Sequence, residues 1–278
     1  MIKAYAKTNL LLLVKDKRDD GYHNIHSLVC PIHLYDEIYI RKNDDLILEC
    51  EGIKNEDNVA YKVAKFLKET YEVKIGAYIK IKKHIPISAG LGGGSSDAAS
   101  VLFGLNKLWR LGLTINALSA IGAMFGSDIP LFLQSGVKEV SGRGEEVKTV
   151  ASKVNLKFLV ISFKEGNSTA EVYKECSNNG TIDEIDTAIK CIKNNDMKSL
   201  IKLCTNDLSE PAIKVDKNNP SIKEVMDMVN GYILESSLIA KCMVSGSGSS
   251  LIVIAESRKT IRSIAKSLKQ IGNNYLIL

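Results

Sequence analysis

Four glycines within five positions, Gly90 and Gly92–Gly94, constrain this chain more than any other feature of its sequence. They separate an alternating segment, AYIKIK, from an Ala-rich segment that opens with Ser95 and Ser96. The first pattern predicts a strand and the second a helix. Glycine lets main-chain N–H groups approach a ligand closely, and the N-terminus of a helix favours an anion. A strand, a glycine loop and a helix start in this order therefore predict a phosphate-binding loop.

The spacing of these glycines excludes two common phosphate loops. No G-x-x-x-x-G-K-[ST] sequence occurs, so the loop is not a Walker A motif. In a G-x-G-x-x-G motif that starts at Gly90, the sixth position would be Ser95. A flexible hinge before a helix is the plainer alternative. The density of glycines directly before two serines favours phosphate binding over that alternative.

Bulk composition bounds the class of protein. The 278 residues suffice for one large or two modest domains, and 45% hydrophobic with 25% charged residues is ordinary for globular proteins. The net charge of +5 suits an enzyme with polyanionic substrates. Nucleic acid is not expected as a partner, because no basic run is interleaved with stacking aromatic residues. The apolar run Leu10–Val14 is too short to span a membrane.

The six cysteines are scattered, without a C-x-x-C pair or a zinc-binding spacing. A chain of this size does not need disulfides for stability, so reduced and mostly buried thiols are expected. This cysteine usage predicts a cytoplasmic protein.

Hydrophobic periodicity predicts an α+β fold in two lobes that divide near residue 152. Strands are expected at residues 4–14, 35–41, 46–51, 73–82, 156–163, 240–244, 251–255 and 275–278. Helices are expected at residues 57–71, 95–109, 114–125, 169–176, 183–194, 197–203, 221–230 and 259–271.

Two charged residues are candidates for chemistry. Lys7 lies among apolar residues of the first strand, so it needs a partner or must extend its ammonium group to solvent. Asp128 stands two residues before Pro130, which is the pattern of an ordinary helix cap. The functional alternative makes Asp128 a general base for a hydroxyl group. If a cleft lies at the first strand, Lys7 can pair with Asp128 and with a transferred phosphoryl group.

For two further segments, the sequence does not decide between a structural and a ligand-binding interpretation. Tyr22 and His23, after the turn at Gly21, offer a stacking surface and a ring with a donor and an acceptor, but such a pair is as often packing. Gly246 and Gly248 predict a tight turn, which could also present N–H groups to a phosphate. His26, His33 and Glu37 lack a metal-binding spacing and are interpreted as structural.

Eight segments occur in order along nearly the whole chain: AKTNL (6–10), DGYH (20–23), GLGGGSSDAA (90–99), GSDIP (126–130), GRGE (142–145), STAEVY (168–173), NDL (206–208) and SGSGSS (245–250). Together they resemble the GHMP kinases, the superfamily of galactokinase, homoserine kinase and mevalonate kinase. The combination is most similar to the branch that phosphorylates a cytidylyl-linked methylerythritol in non-mevalonate isoprenoid synthesis.

The resemblance implies a ribosomal-S5-like N-terminal lobe (residues 1–152) and a ferredoxin-like C-terminal lobe (residues 153–278), with the active site between them. It implies Lys7 and Asp128 as catalytic residues. ATP would be held by Pro86, Ile87, Ser88, Ala89, Gly90, Leu91, Gly92, Gly93, Gly94, Ser95 and Ser96, with Asn58 and Lys83 near the adenosine. The cytidylyl substrate would be held by Asn9, Tyr22, His23, Thr169, Gly246 and Gly248.

The resemblance also implies Mg²⁺ alongside ATP, with unassigned ligands for which Ser95 and Ser96 are weak candidates. Two stretches depart from the family pattern, FKEGN (163–167) and LSEP (208–211). A monomer or weak homodimer is expected. The alternatives are a homoserine- or mevalonate-type kinase, a catalytically idle nucleotide sensor and, least favoured, an RNA-binding module.

Overall fold

The computed structural model describes residues 1–177, 182–269 and 276–277, and within them strands and helices form two sheets with their covering helices. The strands are β1 (Ile2–Lys17), β2 (His23–Asn43), β3 (Leu46–Cys50), β4 (Gly76–Lys82), β5 (Val137–Ser141), β6 (Glu146–Ala151), β7 (Lys157–Ser162), β8 (Thr205–Asn206), β9 (Ala240–Val244), β10 (Leu251–Ala255) and β11 (Leu276–Ile277). The helices are α1 (Val59–Thr70), α2 (Gly93–Trp109), α3 (Ile115–Ala123), α4 (Ile129–Phe132), α5 (Thr169–Lys174), α6 (Ile185–Lys193), α7 (Met197–Leu203), α8 (Ser209–Lys214), α9 (Ile222–Glu235) and α10 (Arg258–Lys269).

The larger sheet has the order β3-β4-β2-β1-β8, with β5 paired to β2 and β6 paired to β5. Side chains of β4 alternate because one face of this strand is buried and the other is wet, whereas all residues from Ala6 to Val14 of β1 are buried. In β4, Ile79 and Ile81 point into the core while Lys80 and Lys82 are exposed. Helices α1 and α2 cover the buried face with apolar side chains. The glycine loop therefore leads from a core strand into a core helix.

The smaller sheet has the order β11-β7-β10-β9 in the described residues. Every residue of β10 is buried, so its sequence LIVIA is a continuous apolar run rather than an alternating one. One face packs on α9 and α10, through Val225 and Ile264 among others. The turn between β9 and β10 carries the SGSGSS motif.

Strand β1, in the first half of the chain, is contacted directly by segments of the second half. The short strand β8, from the second half of the chain, pairs in parallel with β1 at Leu11 and Leu12. The Asp207 carboxylate accepts a hydrogen bond from the Val14 N–H at 2.9 Å. The apolar core beneath combines side chains of β1 with side chains of α7 and β10. The second half of the chain thus completes the first sheet.

Most predicted elements are present, with ends that differ by a few residues. Periodicity misses five elements: β5, β6, β8, α4 and α8. Strand β6 is largely exposed and lacks a clear apolar period. Helix α8 has six residues with Pro211 near its start, which is too short for a periodic signal. The LSEP departure is therefore an ordinary helix start. Residues 270–271, 275 and 278 of the predicted last helix and strand lie outside the described residues.

Two predictions about individual elements need a separate comment. Strand β2 is much longer than residues 35–41, because it begins at His23 and runs through the whole region interpreted as a turn and structural histidines. The chain passes from the first sheet to the second between β6 and β7. A domain boundary at residue 152 remains a prediction.

The His26 side chain connects β2 to β5 of the same sheet and to the segment before α6. Its Nδ1 lies 2.7 Å from Asp183 Oδ2, before α6, and its Nε2 lies 3.1 Å from Glu139 Oε1 in β5. Both ring nitrogens face carboxylates, which only the imidazolium form satisfies with two donors. Burial alone would lower the pKa of His26, but the bonds to Asp183 and Glu139 outweigh it and raise the pKa above its ordinary value.

This raised pKa predicts a pH-dependent contribution to stability. The contribution is fully present below the unfolded pKa of about 6.5 and is lost as pH rises through the folded pKa. His26→Gln should lower the free energy of unfolding by about 0.5–1 kcal/mol at pH 5.5, since the group is partly exposed, and by less at pH 8.5. Urea titrations at both pH values measure the difference. His33→Gln, at an exposed histidine, is the control, and an equal loss at both pH values would contradict the assignment.

Candidate active site

The glycine loop lies directly against β1. Gly90 and Gly92 have φ angles of +73° and +71°, a region that favours glycine. A Cβ on Gly92 would lie 3.1 Å from Lys7 Cγ and 2.7 Å from the Phe132 ring. The Lys7 N–H donates a hydrogen bond of 2.9 Å to the Leu91 carbonyl. Glycine at position 92 is thus required by the close approach of the loop to Lys7.

The loop ends at the N-terminus of α2, a helix of 17 residues. Gly92 is the N-cap and contributes no side-chain hydrogen bond to the first turn. The first N–H groups of a helix have no partner inside it, and they carry the positive end of its dipole. Because no side chain caps them, these N–H groups can bind an anion. Phosphate binding by this loop remains a prediction.

Lys7 is buried, with 9% of its surface exposed, so the alternative in which its ammonium group extends to solvent is wrong. Register shifts flank it on both sides in β1, between Tyr5 and Lys7 and between Asn9 and Leu11. Its Nζ donates to Asn9 Oδ1 at 2.9 Å. Burial lowers the pKa of Lys7, and the Asp128 carboxylate opposes that shift.

Asp128 stands at the start of α4, where the cap interpretation expects it, but its side chain makes no capping hydrogen bond. Its Oδ1 lies 3.7 Å from the position that a Cβ on Gly144 would take. Its charge acts on Lys7 and on Tyr173. Within the described residues, no ion pair of 4.0 Å or less joins Asp128 to Lys7. The two charges therefore interact electrostatically without forming a contact ion pair.

The turn between β9 and β10, residues 245–250, lies against the glycine loop and Lys7. Gly246 and Gly248 have φ angles of +56° and +80°. A Cβ on Gly246 would lie 3.2 Å from Lys7 Nζ, and a Cβ on Gly90 would overlap the Ser245 carbonyl. The Ser245 hydroxyl also donates to the Gly90 carbonyl at 3.3 Å. The two glycine turns are in van der Waals contact, with Lys7 beside them.

Two asparagines hold this second turn in place. The Asn206 amide donates to the Val244 and Gly246 carbonyls, each at 2.8 Å. The Asn167 amide donates to the Ser247 carbonyl at 3.3 Å and to the Ala212 carbonyl at 3.0 Å. Asn167 is the last residue of the FKEGN departure, which therefore contributes to this turn.

The predicted substrate residues Thr169, Tyr22 and His23 also lie around this region. The Thr169 and Ser247 hydroxyls are 2.9 Å apart, which connects α5 to the second turn. The His23 ring stacks on Tyr173 with centroids 5.6 Å apart and planes at 25°. Tyr22 is 60% exposed, so the packing interpretation is wrong for it, and the Arg143 guanidinium lies 5.3 Å from its ring centroid.

Sequence reasoning does not single out Tyr173, although it lies in the STAEVY segment. Burial, with a smaller contribution from Asp128, raises the pKa of its phenol. Tyr173 thus stacks on the ring of His23 and interacts electrostatically with the carboxylate of Asp128. An aromatic residue in a short helix gives no local sign of such a position.

Lys83 and Asn58 have structural partners. Lys83 Nζ donates to Asp36 Oδ2 at 2.5 Å and to Asp97 Oδ2 at 2.7 Å. Burial alone would lower the pKa of Lys83, but these carboxylates raise it. Burial raises the pKa of Asp97, although Lys83 opposes the shift. Asn58 caps α1 by accepting from the Ala60 N–H. Their proximity to adenosine remains a prediction, as do the contacts of Pro86, Ile87 and Ser88.

Comparison with known proteins assigns the family. The model for the GHMP kinases N terminal domain matches residues 58–136, and the model for the GHMP kinases C terminal matches residues 188–274. A curated relative from Geobacillus sp. (strain WCH70), named 4-diphosphocytidyl-2-C-methyl-D-erythritol kinase, is 35% identical and covers 97% of this chain and 92% of its own length. The chain belongs to the GHMP kinase family.

Solved structures agree with this assignment. The crystal structure of a 4-(cytidine 5'-diphospho)-2C-methyl-D-erythritol kinase superposes on this GHMP kinase with a TM-score of 0.79. That pair is 29% identical, over 99% of this chain and 97% of the other. A mevalonate kinase from L. major, at 17% identity and a TM-score of 0.71 over 100% of this chain and 94% of its own, shares the fold. The predicted family and the predicted two-lobed α+β fold are confirmed.

Two further observations characterise this GHMP kinase. No helix in the described part of the chain is long and apolar enough to cross a membrane. All six cysteines are free thiols, and four of them are buried, as expected from their scattered spacing.

The contact between the two glycine turns yields a prediction for Gly90. A Cβ there would overlap the Ser245 carbonyl, and alanine would also be strained at the positive φ. Gly90→Ala should lower the free energy of unfolding by about 2–4 kcal/mol, measured by urea titration.

Gly231→Ala is the matched control. Gly231 lies inside α9, and nothing lies within 4 Å of the position that a Cβ would take, so alanine should leave stability unchanged or raise it by up to about 1 kcal/mol. A Gly90→Ala protein as stable as the wild type would mean that the two turns are not in contact.

Proposed function

We propose that this GHMP kinase transfers the γ-phosphoryl group of ATP to the 2-hydroxyl of 4-diphosphocytidyl-2-C-methyl-D-erythritol, in the non-mevalonate isoprenoid pathway. Relatives of that name align over nearly the full length of the chain, at 30–35% identity. The mechanism is supported by the contact of the glycine loop with Lys7 and by the electrostatic interaction of Asp128 with Lys7 and with Tyr173, the ring on which His23 stacks.

The phosphates of ATP are assigned to Pro86–Ser96 and the N-terminus of α2. Uncapped N–H groups and the helix dipole neutralise negative charge there without reorganising during the reaction. ATP enters as its magnesium complex, in which the metal further neutralises phosphate charge. In the described residues no three His, Cys, Asp or Glu side chains gather as a metal site. Phosphate oxygens and the Ser95 or Ser96 hydroxyl would be the candidate ligands of that metal.

Asp128 is assigned as the general base. Its carboxylate accepts the proton of the 2-hydroxyl as that oxygen attacks the γ-phosphorus, and ADP leaves. The ammonium of Lys7 stabilises the negative charge on the transferred phosphoryl group and on Asp128. Asn9, whose amide oxygen is bonded to Lys7, acts through that lysine. Positioning and charge neutralisation, rather than covalent chemistry on the protein, provide the catalysis.

The cytosine is assigned to the aromatic group on the other side of Asp128. His23 is held by stacking on Tyr173, which leaves its ring nitrogens for the edge of a base. Tyr22 is exposed and presents a face for stacking. Thr169, Gly246 and Gly248 are assigned to the diphosphate, with support from the hydrogen bond between Thr169 and Ser247.

The proposal also covers the adenosine site, the cellular compartment and the oligomeric state. Adenosine is assigned to the region of Asn58 and Lys83, next to the start of α2. The proposed compartment is the cytoplasm, where six free thiols stay reduced. We propose a monomer or weak homodimer as the working assembly.

Asp128→Asn is the variant that tests the proposed base. The amide cannot accept the proton, so kcat should fall at least ~100-fold, while ATP affinity survives. A coupled assay for ADP release with the cytidylyl alcohol measures kcat, and calorimetry measures nucleotide binding. A variant with the wild-type kcat would remove Asp128 from the mechanism.

The same assay separates the alternative functions. Wild-type protein should turn over the cytidylyl alcohol and leave homoserine and mevalonate unphosphorylated. Turnover of either of those two alone would assign the chain to another GHMP activity. ATP binding without turnover of any alcohol would instead favour a nucleotide sensor.

His23→Ala tests the cytosine assignment. Loss of the ring should raise KM for the cytidylyl alcohol by about 10-fold, in line with the range for base contacts with aromatic side chains, and leave KM for ATP nearly unchanged. Steady-state kinetics in both substrates measure the two values. His33→Ala, at an exposed histidine of β2 far from this stack in sequence, controls for loss of an imidazole. Equal effects on both KM values would contradict the assignment.

A further inference from the structure

A buried chain of hydrogen bonds leads away from Lys7. Lys7 Nζ donates to Asn9 Oδ1 at 2.9 Å, Asn9 Nδ2 donates to Ser27 Oγ at 2.7 Å, and Ser27 Oγ donates to the Leu11 carbonyl at 2.6 Å. Asn9 is 5% exposed and Ser27 is 0% exposed. Nothing in the sequence singles out Ser27, which lies within the apolar part of β2.

The backbone fixes the end of this chain. Ser27 pairs with Leu12 of β1 on one side and with Val140 of β5 on the other, so its strand is interior to the sheet. The register shift between Asn9 and Leu11 advances β1 by two residues against one residue of β2. Such a bulge re-aims neighbouring groups. Here the Leu11 carbonyl and the Asn9 amide both reach the one hydroxyl of Ser27.

The last acceptor in this series of hydrogen bonds, the Leu11 carbonyl, determines which group donates in each of the others. The Leu11 carbonyl can only accept, so the Ser27 hydroxyl proton points to it, and the hydroxyl oxygen is left to accept from Asn9. Asn9 must then present its NH₂ group to Ser27 and its oxygen to Lys7. If the Asn9 amide were rotated, its NH₂ group would face the ammonium group of Lys7, and its oxygen would face the lone pairs of the Ser27 hydroxyl. Both contacts would be repulsive.

We propose that Ser27 is a positioning residue that sets the orientation of the Asn9 amide and, through it, the location of the Lys7 ammonium group. This inference rests on the proposed function, because the location of Lys7 affects turnover only if Lys7 acts on the phosphoryl group. Ser27 itself touches neither Lys7 nor the reacting atoms. A serine used only for packing in this interior strand would be replaceable by any small apolar residue.

Loss of the Ser27 hydroxyl should change the titration of Lys7. Without it the Asn9 amide loses its orienting partner, and the ammonium loses an acceptor that favours its charged form. In Ser27→Ala the pKa of Lys7 should fall by roughly half a unit or more relative to wild type. Protein labelled with ¹³C-lysine reports this pKa through the Lys7 Cε resonance, assigned with Lys7→Arg. This readout needs no turnover.

Kinetics provide the second measurement. Ser27→Ala should lower kcat about 10-fold or more, leave KM for ATP unchanged, and move the alkaline limb of the kcat profile to lower pH. Ser27→Thr keeps the hydroxyl and should restore both kcat and the profile. In an Asn9→Ala background, Ser27→Ala should have almost no further effect, because the two residues act in one chain.

Ser119→Ala is the matched control for removing a buried serine hydroxyl. Its Oγ has no partner within the described chain, and it lies in α3 outside the proposed machinery, so kcat and the Lys7 pKa should equal wild type. If Ser27→Ala does not fold, Ser27→Cys, with a weak donor and acceptor of similar size, carries the same test.

The outcomes separate this inference from the proposed function. A folded Ser27→Ala protein with the wild-type Lys7 pKa and wild-type kcat overturns the positioning role. Wild-type protein that does not phosphorylate the cytidylyl alcohol overturns the proposed function, and a lowered Lys7 pKa in Ser27→Ala would still support the hydrogen-bonded chain. Independent, additive effects of Asn9→Ala and Ser27→Ala would also overturn the positioning role.

Discussion

The burial of a lysine ammonium group in β1 is the constraint to which the surrounding structure responds. A charge removed from water is costly unless polar groups or an opposite charge compensate for it. Around Lys7 that compensation comes from the Asn9 amide oxygen and, across a gap, from the Asp128 carboxylate. The two glycine turns lie so close to the lysine side chain that a Cβ on Gly92 or Gly246 would crowd it. The same contacts hold the positive charge of Lys7 against the glycine loop and the second turn.

The parts of the site that depend on local composition are predictable from the sequence. Glycine density before Ser95 specifies a loop with unusual backbone angles, and the alternating AYIKIK segment specifies a half-buried strand. Both properties belong to the residues themselves and hold whatever the rest of the chain does. The order of short motifs along the chain then indicates the family, and membership of that family predicts the fold. Strand and helix ends are less predictable, because neighbouring packing decides where each element begins and ends.

The parts that depend on distant residues are not predictable. Asp128 resembles a helix cap because its neighbours are those of a cap, and only the tertiary placement of Gly144 and Tyr173 shows its carboxylate turned elsewhere. The sequence alone allows Lys7 a route to solvent, which the second turn, about 240 residues away, blocks. The roles of Asn206 and Asn167 also depend on carbonyl groups supplied by remote strands. Such residues look like ordinary polar positions until the contacts are known.

The parallel pairing of β8 with β1 has a consequence for synthesis on the ribosome. Strand β1 receives its edge partner only when residues 205–206 have been translated, and the turn beside Lys7 follows some forty residues later. Until then a largely apolar strand edge is unprotected against pairing with another nascent chain. The groups that enclose Lys7 are therefore acquired only after the second half of this chain has been translated, and a product that stops before residue 205 lacks them.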